Sequence, residues 1–177
     1  NMIGAAFFVV YAFIIEAYPV MVVNSIIFLI NIYFLVELIT NKDYFTVLNI
    51  DGTDTPFLRK FVDYYQDDIQ KLFPNFSLED MNNVDILMIL RNMIPVGIFS
   101  AKPNDEKQVE VLIDYVIPEY RDFKNAHFLY SKEVKKYKES GHETFVTRSE
   151  NEEHVHYLLK MGYQRSQQEE NLYKKEI

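Results

Sequence analysis

Cysteine is absent from all 177 residues, which excludes a disulfide framework, a thiolate zinc site and a cysteine nucleophile. Any acyl transfer must then go directly or through another residue. The absence fits a cytosol-facing domain without establishing one. A basic, aromatic-interleaved stripe is also missing and the net charge is −8. Phosphate contacts supply most non-specific affinity for nucleic acid, so the chain offers nucleic acid little to hold. Histidines at metal-ligand spacing are lacking too: His154 and His156, two apart in a helical pattern, point to nearly opposite sides, and His127 and His142 have no visible partners. No metal is expected.

Charge is nearly absent from the start of the chain. All 18 Lys and Arg residues lie after Thr40, and Glu16 and Glu37 are the only charges before it. Residues 3–15 and 20–38 are apolar on every side, separated by Glu16, Tyr18 and Pro19. A spanning helix needs about 20 apolar residues; the second block has that length and the first falls short. No basic region precedes the first block, unlike a secretory signal, and we read it as the truncated end of a longer membrane region. The alternative is a buried core helix, since Asn24, Ser25, Asn31 and Glu37 give the second block polar positions. Asn24 and Asn31, seven apart, share a face that in lipid would meet a neighbouring helix. Lys42, Arg59 and Lys60 follow the second block, which by the positive-inside tendency turns the rest of the chain to the cytoplasm. In hydropathy this region resembles the last two helices of small multi-span bacterial inner-membrane proteins. The expectation is a hydrophobic, transmembrane helical hairpin over residues 1–40, in the inner membrane with the lipid bilayer as partner, and a cytoplasmic domain over residues 41–177.

From Tyr44 the pattern is that of a mixed domain. Tyr44 to Ile50 has strand composition and ends at the turn signal Asp51-Gly52. Pro56 opens a helix on which Phe57, Phe61, Tyr64, Tyr65, Ile69 and Leu72 recur, and Pro74 ends it. Ser77-x-x-Asp80 starts a short second helix. Residues 85–91 and 95–100 read as an antiparallel pair about Asn92 and Met93, and residues 102–106 as a polar turn. A strand at 109–117, a helix at 125–140 stopped by Gly141, a strand at 143–147 and a helix at 150–161 closed by Gly162 follow. Weak strands at Tyr163-Gln164 and 171–174 end the chain.

The run from Val109 to Tyr130, VEVLIDYVIPEYRDFKNAHFLY, is a strand that stops at Pro118 and passes through a short loop into a helix. Such a place presents backbone N–H groups suited to an anion. Val116-x-Pro118-x-x-Arg121 followed by Lys124-x-Ala126 resembles the fourth strand, pyrophosphate loop and following helix of the GCN5-related N-acetyltransferases (GNATs), whose loop reads Arg/Gln-x-x-Gly-x-Gly/Ala. Arg121 and Ala126 match, and Lys124 stands in place of the first glycine. Asn151-x-x-His154-x-x-Tyr157-Leu158-x-x-x-Gly162-Tyr163 resembles the family's Asn-x-x-Ala-x-x-Leu-Tyr-x-x-x-Gly-Phe, with the family's tyrosine falling at Leu158. The order of elements is the family's order over residues 44–175.

The resemblance implies an α/β fold with a GNAT-like mixed sheet flanked by helices. It implies that acetyl-coenzyme A enters a gap between the fourth and fifth strands as a co-substrate, that the backbone around Tyr115 and Val116 pairs with its pantetheine arm, and that Arg121, Phe123, Lys124, Asn125 and Ala126 wrap the pyrophosphate, with Asn151 on the neighbouring helix. Two readings of Lys124 stand: a side chain that narrows the cradle, or a charge for the phosphates. Arg121 is a phosphate ligand or a solvated loop residue. Amine acetylation needs a base and an acid. By strand alternation Glu110, Leu112, Asp114 and Val116 share a face, making Asp114 and Glu110 the candidate bases or simply exposed acids. Tyr157 is the candidate acid or a packing tyrosine. The run Lys132 to Lys138 reads as a solvated helix face, with a lipid-facing reading beside it. The function implied is a membrane-anchored transferase of the acetyl group to a small-molecule or protein amine. The alternatives are a catalytically degenerate acyl-coenzyme A sensor or membrane-bound interaction module of the same fold, and a chain whose membrane segment carries the function.

Overall fold

The computed structural model describes every residue except Asn41, Asn83 and Asp105. The domain boundary expected at residue 41 and part of the polar turn expected at 102–106 therefore lie outside the described residues. The chain divides into two compact units, Asn1–Asp43 and Tyr44–Ile177.

In the first unit, α1 (Met2–Ile14) and α2 (Tyr18–Thr40) touch one another. Ala5 and Ala12, seven apart, are the buried residues of α1, and Met21, Asn24, Ser25, Phe28 and Asn31 form a half-buried stripe on α2. Asn24 and Ser25 satisfy themselves on their own helix, donating to the carbonyls of Val20 at 2.9 Å and Met21 at 2.8 Å. No residue of α2 is buried, unlike a core helix. With 23 residues and a mean hydropathy of 2.2 in its most apolar stretch, α2 is long and apolar enough to cross a membrane.

The second unit is a mixed sheet of seven strands flanked by helices: β1 (Phe45–Ile50), β2 (Ile86–Arg91), β3 (Ile94–Pro103), β4 (Gln108–Val116), β5 (Thr144–Arg148), β6 (Gln164–Arg165) and β7 (Leu172–Glu176), in spatial order β1-β2-β3-β4-β5-β7-β6. Every pairing is antiparallel except that of β4 with β5. β2 is buried at all six positions, as an unbroken apolar run must be when both sheet faces are covered. One face carries α3 (Pro56–Tyr64) and α4 (Gln66–Leu72); Phe61 of α3 and Tyr65, between the two helices, pack on Tyr115 with ring centroids 6.4 and 6.1 Å away. The other carries α5 (Lys124–Glu139), whose Phe128, Tyr130 and Tyr137 pack on Phe45, Phe99 and Phe145. α6 (Glu152–Lys160) is tied to the end of α4 by Phe73 against His154, 4.5 Å between rings, and by Lys71 to Glu153 at 2.7 Å.

Two expectations need correcting. The single helix expected over residues 56–72 breaks at Tyr65 into α3 and α4. The helix expected at Ser77 is a 3₁₀ turn, Leu78–Met81, held by Ser77 accepting from the Glu79 N–H and Asp80 from the Ser77 N–H. On α5 the lysines of 132–138 are exposed, but Glu133 and Tyr137 among them are buried, so the run is not a wholly solvated face.

Candidate active site

β4 and β5 pair only where Gln108–Glu110 meets Thr144–Val146. Both strands continue, β4 to Val116 and β5 to Arg148, and past the last pair a side chain stitches them: Thr147 Oγ1 donates to the Val111 carbonyl at 3.2 Å. The parallel pair thus opens part-way along the sheet.

A bulge decides what faces the opening. Ala101 pairs with Val111 and Ser100 with Ile113, leaving Leu112 as an extra residue on β4. An extra residue reverses the alternation beyond it. Asp114, opposite Phe99, therefore shares a face with Val111 and Val109, whereas Glu110, opposite Lys102, shares the other with Ile113 and Tyr115. The common face expected for Glu110 and Asp114 does not form. Glu110 is exposed and lines a cavity of about 500 Å³ with Leu112, Phe73, Arg148 and Glu150.

Asp114 lies under a second cavity, of about 280 Å³, bounded by Val116, Phe123, Asn125, Ala126, Tyr157 and Lys160. It is 7% exposed, and its Oδ2 accepts the Tyr157 hydroxyl at 2.5 Å. The candidate base and acid are thus one hydrogen-bonded pair. Burial raises the Asp114 carboxyl above the ordinary carboxylate range, against the opposing effects of Tyr157, Tyr130 and the Lys175 charge. Burial, together with the Asp114 charge, pushes the Tyr157 hydroxyl far above its usual value, so it stays protonated. Among the described residues Asp114 Oδ1, Asn125 Oδ1 and His154 Nδ1 are buried without a hydrogen-bond partner. All three residues line this cavity, and unpaired buried acceptors are costly unless something donates to them.

The loop above the cavity is rigidly held. Arg91, buried on β2, binds Asp122 at 2.8 Å and lies over the rings of Phe45 and Tyr120. Asp122 Oδ1 in turn accepts the Lys124 N–H at 3.1 Å, so one of the helix-start donors expected for an anion is already engaged. The N–H groups of Asn125 and Ala126 follow, in a first turn where no helical partner exists. Asn125 is buried and donates to the Tyr120 carbonyl at 2.8 Å. Phe123, at φ 65°, stacks on Tyr157 at 5.9 Å, with the Lys160 ammonium 5.2 Å from its ring. The left-handed residue is Phe123, not Lys124, so the backbone demands no glycine at 124. Lys124 is exposed on the first turn of α5.

Arg121 does not point freely toward the loop. Its Nε donates to the Val116 carbonyl at 2.8 Å and its guanidinium pairs with Asp68 and, at 3.5 Å, with Glu153. The Tyr115 side chain is buried on the opposite face, donating to Asp68 at 2.7 Å. Asn151 caps α6, accepting from the His154 N–H at 3.0 Å while its amide donates to the Lys71 carbonyl at 2.8 Å. The structure therefore brings Asp114, Tyr157, Val116, Arg121, Phe123, Asn125 and Ala126 to one cavity. It turns Tyr115, Asn151 and Glu110 elsewhere. Sequence reasoning missed Lys160 and a set of groups behind Asp114: Tyr130 on α5, Tyr163, whose hydroxyl lies 2.9 Å from that of Tyr130, and Lys175 on β7. Only Tyr163 carried a signal, as an aromatic after Gly162.

A sheet opened between its parallel pair, over a loop leading into α5, can be compared with solved structures. A GNAT-family acetyltransferase from Staphylococcus aureus superposes with a TM-score of 0.58 at 14% identity, over 75% of this chain and 99% of that one. The fold is that of the GNAT acetyltransferases. A PaiA N-acetyltransferase from Thermoplasma acidophilum in complex with coenzyme A matches at TM-score 0.56 and 13% identity, over 76% of this chain and 99% of its own. A GNAT-family acetyltransferase from Elizabethkingia anophelis with acetyl-coenzyme A bound matches at 0.56 and 15%, over 77% and 100%. No protein-family model and no curated protein matches the sequence. The GNAT fold here is thus carried by geometry at very low identity.

Proposed function

We propose that the chain is a membrane-anchored acetyltransferase, held in the inner membrane by α2 with the domain on the cytoplasmic side, which binds acetyl-coenzyme A in the Asp114 cavity and acetylates an amine. The observation that carries this reading is the Asp114–Tyr157 pair at the opening between β4 and β5. The cavity residues fit the co-substrate: unpaired Asn125 Oδ1 suits an amide donor of the pantetheine arm, and the α5 start with Lys160 suits its phosphates. When bound, acetyl-coenzyme A supplies the thioester carbon and a thiolate leaving group. As the new C–N bond forms and the C–S bond breaks, Asp114 accepts the proton lost by the amine. Tyr157 gives its hydroxyl proton to the sulfur and recovers one from Asp114 across their hydrogen bond, so the amine proton ends on the thiol. Glu110 and Glu150, in the larger cavity of about 500 Å³, attract the ammonium form of the acceptor, which loses its extra proton to solvent before attacking as the neutral amine.

One observation favours the degenerate-sensor reading: Arg121 is committed to Val116, Asp68 and Glu153, and Asp122 holds the Lys124 N–H. Both readings are separated by titrating the full chain in detergent with coenzyme A and with dephosphorylated pantetheine by calorimetry, and by following thiol release with an amine panel. The transferase reading expects micromolar binding of coenzyme A, far weaker binding of pantetheine, and thiol release that Asp114→Asn lowers by roughly 100-fold or more. Binding without release from any amine selects the sensor. No binding at millimolar coenzyme A removes both.

A further inference from the structure

The proposed chemistry needs Asp114 charged, and its dry surroundings oppose that. Four polar groups interact electrostatically with it from four places. Tyr157 comes from α6, Tyr130 from α5, Tyr163 from the segment after α6, and Lys175 from β7, where it pairs with Phe145 in register. Three of them are phenols, which donate hydrogen bonds but bring no charge. Lys175 is the cation of the set. Its ammonium sits 4.4 Å from the centre of the Tyr130 ring and 5.8 Å from that of Tyr163, and the two hydroxyls of those rings lie 2.9 Å apart. Phe99, opposite Asp114 on the sheet, packs edge-on against the same Tyr130 ring at 6.1 Å. Lysine stems and rings so arranged exclude water while leaving the charge effective across them.

We propose that Lys175, seated on the rings of Tyr130 and Tyr163, is the positioning residue that holds Asp114 as a carboxylate, ready to accept a proton. A buried carboxylate without a nearby cation takes a proton instead of staying charged. The influence is mutual: the Lys175 charge lowers the Asp114 carboxyl, and the Asp114 charge raises the Lys175 ammonium against its own burial. Lys175 touches the aromatic cage rather than the cavity lining, so it acts through Asp114 and not on substrate. The inference rests on Asp114 being the base, but the charge relation between the two residues is measurable without any substrate.

The test follows the Asp114 carboxyl carbon by NMR in the full chain, in detergent micelles, with labelled aspartate assigned by its loss in Asp114→Asn. Lys175→Met is expected to move the Asp114 midpoint upward by roughly one unit, the scale of a lost neighbouring charge, and Lys175→Arg to restore it. An unchanged midpoint in Lys175→Met overturns the proposal. Should that variant fail to fold, the reciprocal measurement decides: the Lys175 midpoint in wild type must fall in Asp114→Asn, and a midpoint that stays put is equally fatal. With a substrate in hand, Lys175→Met moves the acidic limb of kcat/KM to higher pH and Lys175→Arg returns it; a lowered plateau with an unmoved limb would mark Lys175 as merely structural. Coupled midpoints in a protein that acetylates no amine would leave the charge relation standing and remove the transferase reading alone.

Discussion

Arg121 Nε donates to the carbonyl of Val116 at 2.8 Å, folding the loop after Pro118 back on to the strand it leaves. The same guanidinium pairs with Asp68 on α4 and Glu153 on α6 and lies 5.6 Å from the centre of the Tyr115 ring. Arg121 therefore joins β4 to two helices, and its loss uncovers a half-buried Asp68 carboxylate. Arg121→Ala is expected to lower stability by about 1–3 kcal/mol with no ligand present, read by thermal denaturation in detergent. Asp68→Asn should be strongly non-additive with it. A change within about 0.5 kcal/mol would make Arg121 an ordinary loop residue.

Gly97 marks a second constraint at the same strand end. A Cβ there would lie 2.3 Å from the Tyr115 carbonyl oxygen and 3.2 Å from the Val116 Cα. Both are backbone atoms, so relief requires β3 and β4 to separate just where β4 approaches the opening. Gly97→Ala should cost about 1–3 kcal/mol or more, the scale of overpacking, and should weaken coenzyme A binding beside it. Equal stability and affinity in Gly97→Ala would show that the strands shift without penalty.

How much of this was legible in the sequence depended on whether the deciding interaction was local. Turns and stops announce themselves in a few residues: Asp51-Gly52, Asn92-Met93 and Gly162, at φ 86°, each sit where the chain reverses or a helix ends. The order of strands and helices followed from those marks. The bulge at Leu112 did not, because residues 108–116 show an apolar pattern compatible with unbroken alternation and only the register against β3 reveals the extra residue. That one residue moved Glu110 off the face of Asp114. The partners of Arg121 were equally hidden, since Asp68 lies 53 positions away and no local spacing points to it. Lys175 was invisible for the same reason: its meaning comes from three tyrosines on other elements.

His154 gives a pH dependence with a definite sign. Burial against Phe73 lowers it from 6.5 to about 4. The unfolded chain therefore binds a proton that the folded chain refuses, so the stability due to neutral His154 is complete above pH 6.5 and is lost as pH falls toward 4. The full loss is on the order of 3 kcal/mol. His154→Phe, which keeps a ring on Phe73, should flatten that part of the stability curve, measured by urea denaturation from pH 7 to 4. Parallel curves for both proteins would mean that His154 takes up its proton at the same pH folded and unfolded.

Asp114→Asn tests whether the site holds a charge at the expense of the fold. Burial raises the Asp114 carboxyl above 3.8, its ordinary value. A folded state with a raised carboxyl binds the proton more tightly than the unfolded chain, so wild-type stability is greatest at acid pH and declines as rising pH forces Asp114 to ionise. Asparagine keeps the shape and can still accept the Tyr157 hydroxyl, but it never ionises. The variant should match wild type near pH 4 and exceed it once rising pH has ionised Asp114, while losing acetyl transfer. Its coenzyme A affinity should change far less than its turnover, because the amide disturbs the proton's destination and not the loop that meets the phosphates. A variant less stable than wild type at pH 8 would mean that the Asp114 charge is fully compensated by Tyr157, Tyr130 and Lys175, and that the carboxylate strengthens the fold instead of straining it.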